Sequence, residues 1–131
     1  MVTSATHVDT VNQLTERIKD LEAENADLLK GKLQMEATCR RVIETFGKQM
    51  QMIVAIEELA ELIQALTKVL RFKPDFDNVA EETADAEIAI EELKIMFNNR
   101  KDVEDWTTKK LVRLEDRIVR GVDGGDIYVK E

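Results

Sequence analysis

The chain has 131 residues, a formal net charge of −8, one cysteine (Cys39) and one histidine (His7). That length supports one domain, or one domain with an appendage; the lone Cys39 and His7 exclude an intrachain disulfide and a Cys/His zinc cluster, and fit a reducing, cytoplasmic setting. The acidic balance argues against non-specific nucleic-acid binding through a broad basic surface, and no run approaches the roughly 18 apolar residues of a membrane span or the pattern of a signal peptide.

Residues 1–9 are short and polar and are expected to fray, with Asp9 or Thr10 placed to cap the helix that follows. From Val11 a heptad pattern runs through Leu14, Ile18, Leu21, Asn25, Leu28, Lys32 and Met35. Asn25 falls at an a position, where it can pair with its own copy and set a parallel register. Arg17 and Glu22 fall at g and e, where they can pair across a seam. The segment reads either as a self-associating coiled coil or as a solvated amphipathic helix packed on its own domain. It is short and carries Gly31, so alone it is marginal.

Residues 36–47 read as a short helix ended by Gly47. Residues 49–72 read as a long helix with an apolar stripe of Met50, Ile53, Ile56, Ala60, Ile63, Leu66 and Leu70, widened by Leu59 and Leu62. Such a helix is expected to be buried on more than one side. Pro74 interrupts it. The next helix, 77–99, carries Val79, Thr83, Ala86, Ile90, Leu93 and Phe97 as its stripe, and Asn98 and Asn99 mark its stop. Asp102 is placed to cap a last helix over 103–119, with Val103, Trp106, Leu111, Leu114 and Ile118 on one side. Glycines 121, 124 and 125 end the periodicity. The expected organisation is a coiled-coil-like helix over 1–35, a helical domain over 36–119 and a tail over 120–131, all-α throughout.

Two acidic clusters interrupt the two most apolar helices: Glu57-Glu58-Leu59-Ala60-Glu61 and Glu81-Glu82-Thr83-Ala84-Asp85. Glu58 and Glu61 are three apart and share a helix face, as do Glu82 and Asp85. The short connection around Pro74 favours an antiparallel pair, which would bring the clusters to roughly the same height. Four facing carboxylates cannot all stay charged in a dry interior without a cation. Oxygen ligands suit Mg²⁺ or Mn²⁺, and ligand type alone does not distinguish Ca²⁺. Zinc lacks nitrogen and sulfur ligands here, and a di-iron bundle lacks its Glu-x-x-His pairs.

Glu57-Glu58-x-x-Glu61, 20 intervening residues and then Glu82-x-x-Asp85 resembles the signature of MazG-like nucleoside triphosphate pyrophosphohydrolases. The surrounding stretches FGKQMQMIVAIEELAELIQAL and NVAEETADAEIAIEELK resemble the two metal-binding helices of that family, and WTTKKLVRLEDRI resembles its last helix. The resemblance covers 36–119; the N-terminal heptad segment departs from the minimal module. It implies a homodimer or homotetramer with a four-helix core. It also implies Mg²⁺-dependent cleavage of an NTP or dNTP between the α and β phosphates. By the same resemblance Glu58, Glu61, Glu82 and Asp85 would hold Mg²⁺, and Glu57 would position or deprotonate the attacking water or ligate a further ion.

Lys68, Arg71 and Lys73 are candidates to meet the triphosphate, with Arg100, Lys109 and Lys110 as further ones. The plainer reading of each is a solvated cation near a helix end. Gln51, Phe46 and Trp106 are candidates to touch a base; Gln51 is expected as a surface amide, Phe46 and Trp106 as core residues. The competing functions are a non-catalytic interaction protein built on residues 11–35, and a nucleotide sensor using the same carboxylates without hydrolysis.

Overall fold

A computed structural model describes residues 4–121 of the chain. They form four helices, α1 (Ser4–Phe46), α2 (Lys48–Leu70), α3 (Phe76–Met96) and α4 (Arg100–Arg120), and no strand among the described residues. The all-α expectation holds for them, and among the described residues no helix is long and apolar enough to cross a membrane. The expected tail beyond residue 121 lies outside the described residues.

The first helix differs from the sequence reading at two places. The helix begins at Ser4, so residues 4–9 are helical, and the break expected near 35/36 is absent: α1 is one helix of 43 residues. Gly31 costs a helix only about 1 kcal/mol, and without proline nothing stops the backbone ladder there. The stop comes at Gly47, as expected. Its φ of 88° places it in a region that L side chains avoid.

α2 closes with paired backbone bonds, Phe72 N–H to the Val69 carbonyl at 3.1 Å and Lys73 N–H to the Lys68 carbonyl at 3.0 Å. This is a Schellman end with Phe72 itself left-handed, at a φ of 58°, and Pro74 follows. Asp75 then caps α3: its Oδ1 accepts the Asn78 N–H at 3.0 Å. α3 ends in the same way at Asn98 (φ 47°), with Asn99 N–H on the Lys94 carbonyl at 3.3 Å. Asn99, not Asp102, is the residue from which α4 starts.

The chain divides between Glu92 and Leu93 into two units. In the first, the buried core is Cys39, Ile43, Ala55, Ala65, Ala86 and Ala89, joined by the polar Gln51 and Glu92. The core is therefore made mostly of alanines. The apolar stripe expected to be buried on α2 is exposed instead: Met50, Ile53, Ile56, Ile63, Leu66 and Leu70 all face outward, Leu70 at 80%. On α3 the inward row is Ala86, Ala89 and Glu92: Ala86 of the expected stripe is buried, whereas Ile90, and Phe97 just past the end of the helix, are exposed. Alanine permits close helix approach, and the larger side chains are left on the outside. Every residue from Ser4 to Met35 is exposed, including Val11, Leu14, Ile18, Leu21, Leu28 and Met35 of the heptad row. In the second unit, α4 buries no residue.

Candidate metal centre

The register of α2 against α3 builds the site. Val54, Glu58, Asp85 and Ala89 line one pocket, and Glu58 and Glu61 meet Glu82. Moving down one helix matches moving up the other, so the two run antiparallel. Glu58, Glu61 and Glu82 each offer a carboxylate oxygen, and these oxygens lie within 4.8 Å of one another. Glu58 and Glu82 are half-buried and Glu61 is exposed. Asp85, the fourth expected ligand, is half-buried and lines the pocket beside Glu58.

Electrostatics follow from that crowding. Burial pushes the Glu58 carboxyl above its ordinary range, and the negative charges of Asp85, Glu61, Glu82 and Glu57 push it further. The three other expected ligands and Glu57 thus act on Glu58, with Glu57 the weakest contributor and itself exposed. No cation is among the charges acting on Glu58. Like charges held this close raise the cost of ionising the group they surround.

Two residues outside the sequence reading shape the site. Asn78, one turn before Glu82, donates its amide Nδ2 to Glu82 Oε1 at 2.8 Å. It fixes that carboxylate toward α2; an Asn four residues before the acid was the available signal. Glu92 is 5% exposed and lines the same pocket as Glu58 and Asp85. Burial, and then the Glu58 charge, push its carboxyl upward. Glu92 lies seven residues beyond Asp85, two turns along the same face, so its place was readable once that face was fixed. On the α1 side, burial and the charges of Glu92 and Glu91 push the Cys39 thiol up.

The remaining candidates fall elsewhere. Gln51, expected at the surface, is buried at 5% exposure. Its position one turn before Val54 on the inward face overrides the polarity of its side chain. Lys68, Arg71 and Lys73 are exposed at the C-terminal end of α2. Phe46 is exposed, not core, at the last residue of α1. Trp106 is 53% exposed on α4, with Lys109 Nζ 4.9 Å from its ring centroid. That cation-π contact gives Lys109 a partner of its own.

An all-oxygen donor set of crowded carboxylates, with Glu58 uncompensated, fits a hard divalent cation that retains water, and does not fit zinc. No protein-family model, curated protein or solved structure matches the chain.

Proposed function

We propose that the chain is a Mg²⁺-dependent nucleoside triphosphate pyrophosphohydrolase, cleaving an NTP or dNTP between the α and β phosphates to the monophosphate and pyrophosphate. One observation carries the reading: carboxylates from two helices, Glu58 and Glu61 with Glu82, converge to within 4.8 Å, with Asp85 beside them. The resemblance of these same residues to the MazG-like motif supplies the reaction.

In this reading Glu58, Glu61, Glu82 and Asp85 hold Mg²⁺, with Mn²⁺ as a substitute. When bound, the ion neutralises the triphosphate, orients it and makes a coordinated water more acidic. Asn78 keeps Glu82 aimed at the site through its 2.8 Å hydrogen bond. Glu57 is exposed next to Glu58 and accepts the proton of the attacking water as one bond of the α–β linkage breaks. Lys68, Arg71 and Lys73 offset the charge of the triphosphate and of the departing pyrophosphate.

The unburied apolar face of α2 supports assembly into a homodimer or homotetramer, in which a second copy completes the bundle. The composition suits a cytoplasmic setting. The test is replacement of Glu58 by Gln and of Asp85 by Asn. Turnover is expected to fall by at least ~10³-fold, on the order of 4 kcal/mol of transition-state stabilisation, with helix content unchanged. Folded variants with full activity would remove the site.

A second reading rests on the exposed heptad row of α1: a non-catalytic interaction protein that works through residues 11–35. The full chain carrying Leu14→Asp and Leu21→Asp separates the two. The hydrolase reading expects metal-dependent turnover to persist; the interaction reading expects no turnover in either form and loss of assembly in the variant.

A further inference from the structure

We propose that residues 11–35 of α1 pair with the same segment of a second copy of the chain, as a parallel, in-register two-stranded coiled coil. This surface is separate from the carboxylate site and from the exposed face of α2, and its pairing does not depend on nucleotide turnover.

α1 is unbroken from Ser4 to Phe46, so a repeat that alternates three and four keeps its residues on one face throughout. Val11, Leu14, Ile18, Leu21, Leu28 and Met35 form that row, and each is exposed. Seven residues beyond Lys32 the row reaches Cys39, which is buried at 2% exposure in the chain's own unit. One face of α1 thus closes against its own domain at Cys39 and stays open over residues 4–35. A helix that packs on nothing is marginal, and an exposed apolar row marks an association surface.

The polar residues in and beside the row identify the occupant. Asn25 takes an a position. In a parallel pair each a residue meets its own copy, so two Asn25 amides donate and accept between themselves. In an antiparallel pair a faces d, which would set that amide against an apolar side chain without a partner. Arg17 at g and Glu22 at the following e are both exposed, and neither side chain has an ion pair among the described residues. In the parallel register g faces the next e of the other helix, so Arg17 meets Glu22 of the partner subunit on each side of the seam. Lys32, at the last a position, can lay its stem along the seam with its ammonium in water. A self-pairing amide and self-complementary charges on one apolar seam fit a second copy of this chain.

The test is disulfide trapping of the full chain in a glutathione redox buffer. Leu14→Cys and Leu28→Cys are made separately, and Asp20→Cys, on the far side of the helix, is the control. The d positions of two parallel, in-register helices bring like residues close enough for a disulfide. Leu14→Cys and Leu28→Cys should each link to themselves in most of the chain, and Asp20→Cys should not. An antiparallel pair can match a residue with its own copy at one level only, and a staggered pair at none. Adding Arg17→Glu to Leu14→Cys should lower the linked fraction at low salt, and adding Glu22→Arg as well should restore it. Circular dichroism checks that each variant keeps its helix content; every altered side chain is exposed in the single chain.

Failure of either leucine position to link in a folded chain, or equal linking of Asp20→Cys, would overturn the parallel pair. So would a linked fraction indifferent to both charge reversals. None of these results bears on metal-dependent turnover, which is assayed separately.

Discussion

Glu58 stands where burial and four neighbouring carboxylates all oppose its ionisation, and Glu92 is opposed by burial and by Glu58. Both folded-state carboxyls therefore titrate above the ordinary value of 4.5. Between that value and the raised one, the folded chain keeps protons that the unfolded chain has already released. Their contribution to stability is thus lost as pH rises through this window. In EDTA, the chain should melt at a higher temperature at about pH 5 than at about pH 7.5. Glu58→Gln and Glu92→Gln should each flatten the dependence, and Mg²⁺ should raise the melting temperature more at the higher pH, because the bound ion favours the ionised carboxylates. A melting temperature that rises with pH in EDTA and is untouched by either substitution would contradict the crowding.

At this scale the sequence is informative where spacing decides. The i,i+3 spacing puts Glu58 beside Glu61 and Glu82 beside Asp85 on their own helices without knowledge of the fold, and the packing of α2 on α3 then brings Glu82 to Glu58 and Glu61. Glu92 and Asn78 were missed because their roles depend on which face of α3 turns inward. Gln51 was misplaced because it lies on the inward face of α2, where the packing of the helix and not the polarity of the side chain decides its burial.

Among the elements, α1 shows how little a single glycine does inside a long helix. A Cβ at Gly31 meets nothing within 4 Å, and its backbone is helical. Gly31→Ala should therefore raise stability by about 0.5–1 kcal/mol. Gly47 also has open space around it, but its φ of 88° makes any L side chain strained. Gly47→Ala should destabilise by about 1 kcal/mol or more. Thermal melts of the two variants should move in opposite directions; a shared direction would place the α1–α2 break elsewhere. The helix types and the Gly47 and Pro74 boundaries were legible because backbone chemistry fixes them locally. The merger of 1–35 with 36–46 was not, because a heptad that changes character need not end the helix carrying it.

For the whole chain, the mismatch between core and surface is the informative feature. The inner faces of α2 and α3 are closed largely by Ala55, Ala65, Ala86 and Ala89, while Ile53, Ile56, Ile63 and Leu70 stay exposed. Hydrophobic periodicity read the wider apolar face of α2 as buried; the single chain turns it outward. A row of this kind marks an association surface, and the proposed partner is a second copy of the chain. Ile56→Glu with Ile63→Glu should lower the sedimenting mass of the full chain, whereas Leu14→Asp with Leu21→Asp tests the separate α1 seam. Unchanged mass in the α2 variant would remove that face from the assembly.

The central claim is that the converging carboxylates serve nucleotide hydrolysis. Its most direct test is product analysis of the purified chain incubated with each natural NTP and dNTP, in Mg²⁺ and in EDTA. The account predicts monophosphate and pyrophosphate in equal amounts, from at least one nucleotide, in Mg²⁺ only. Release of orthophosphate and a diphosphate, turnover that survives EDTA, or no turnover by a folded, Mg²⁺-loaded chain would contradict it.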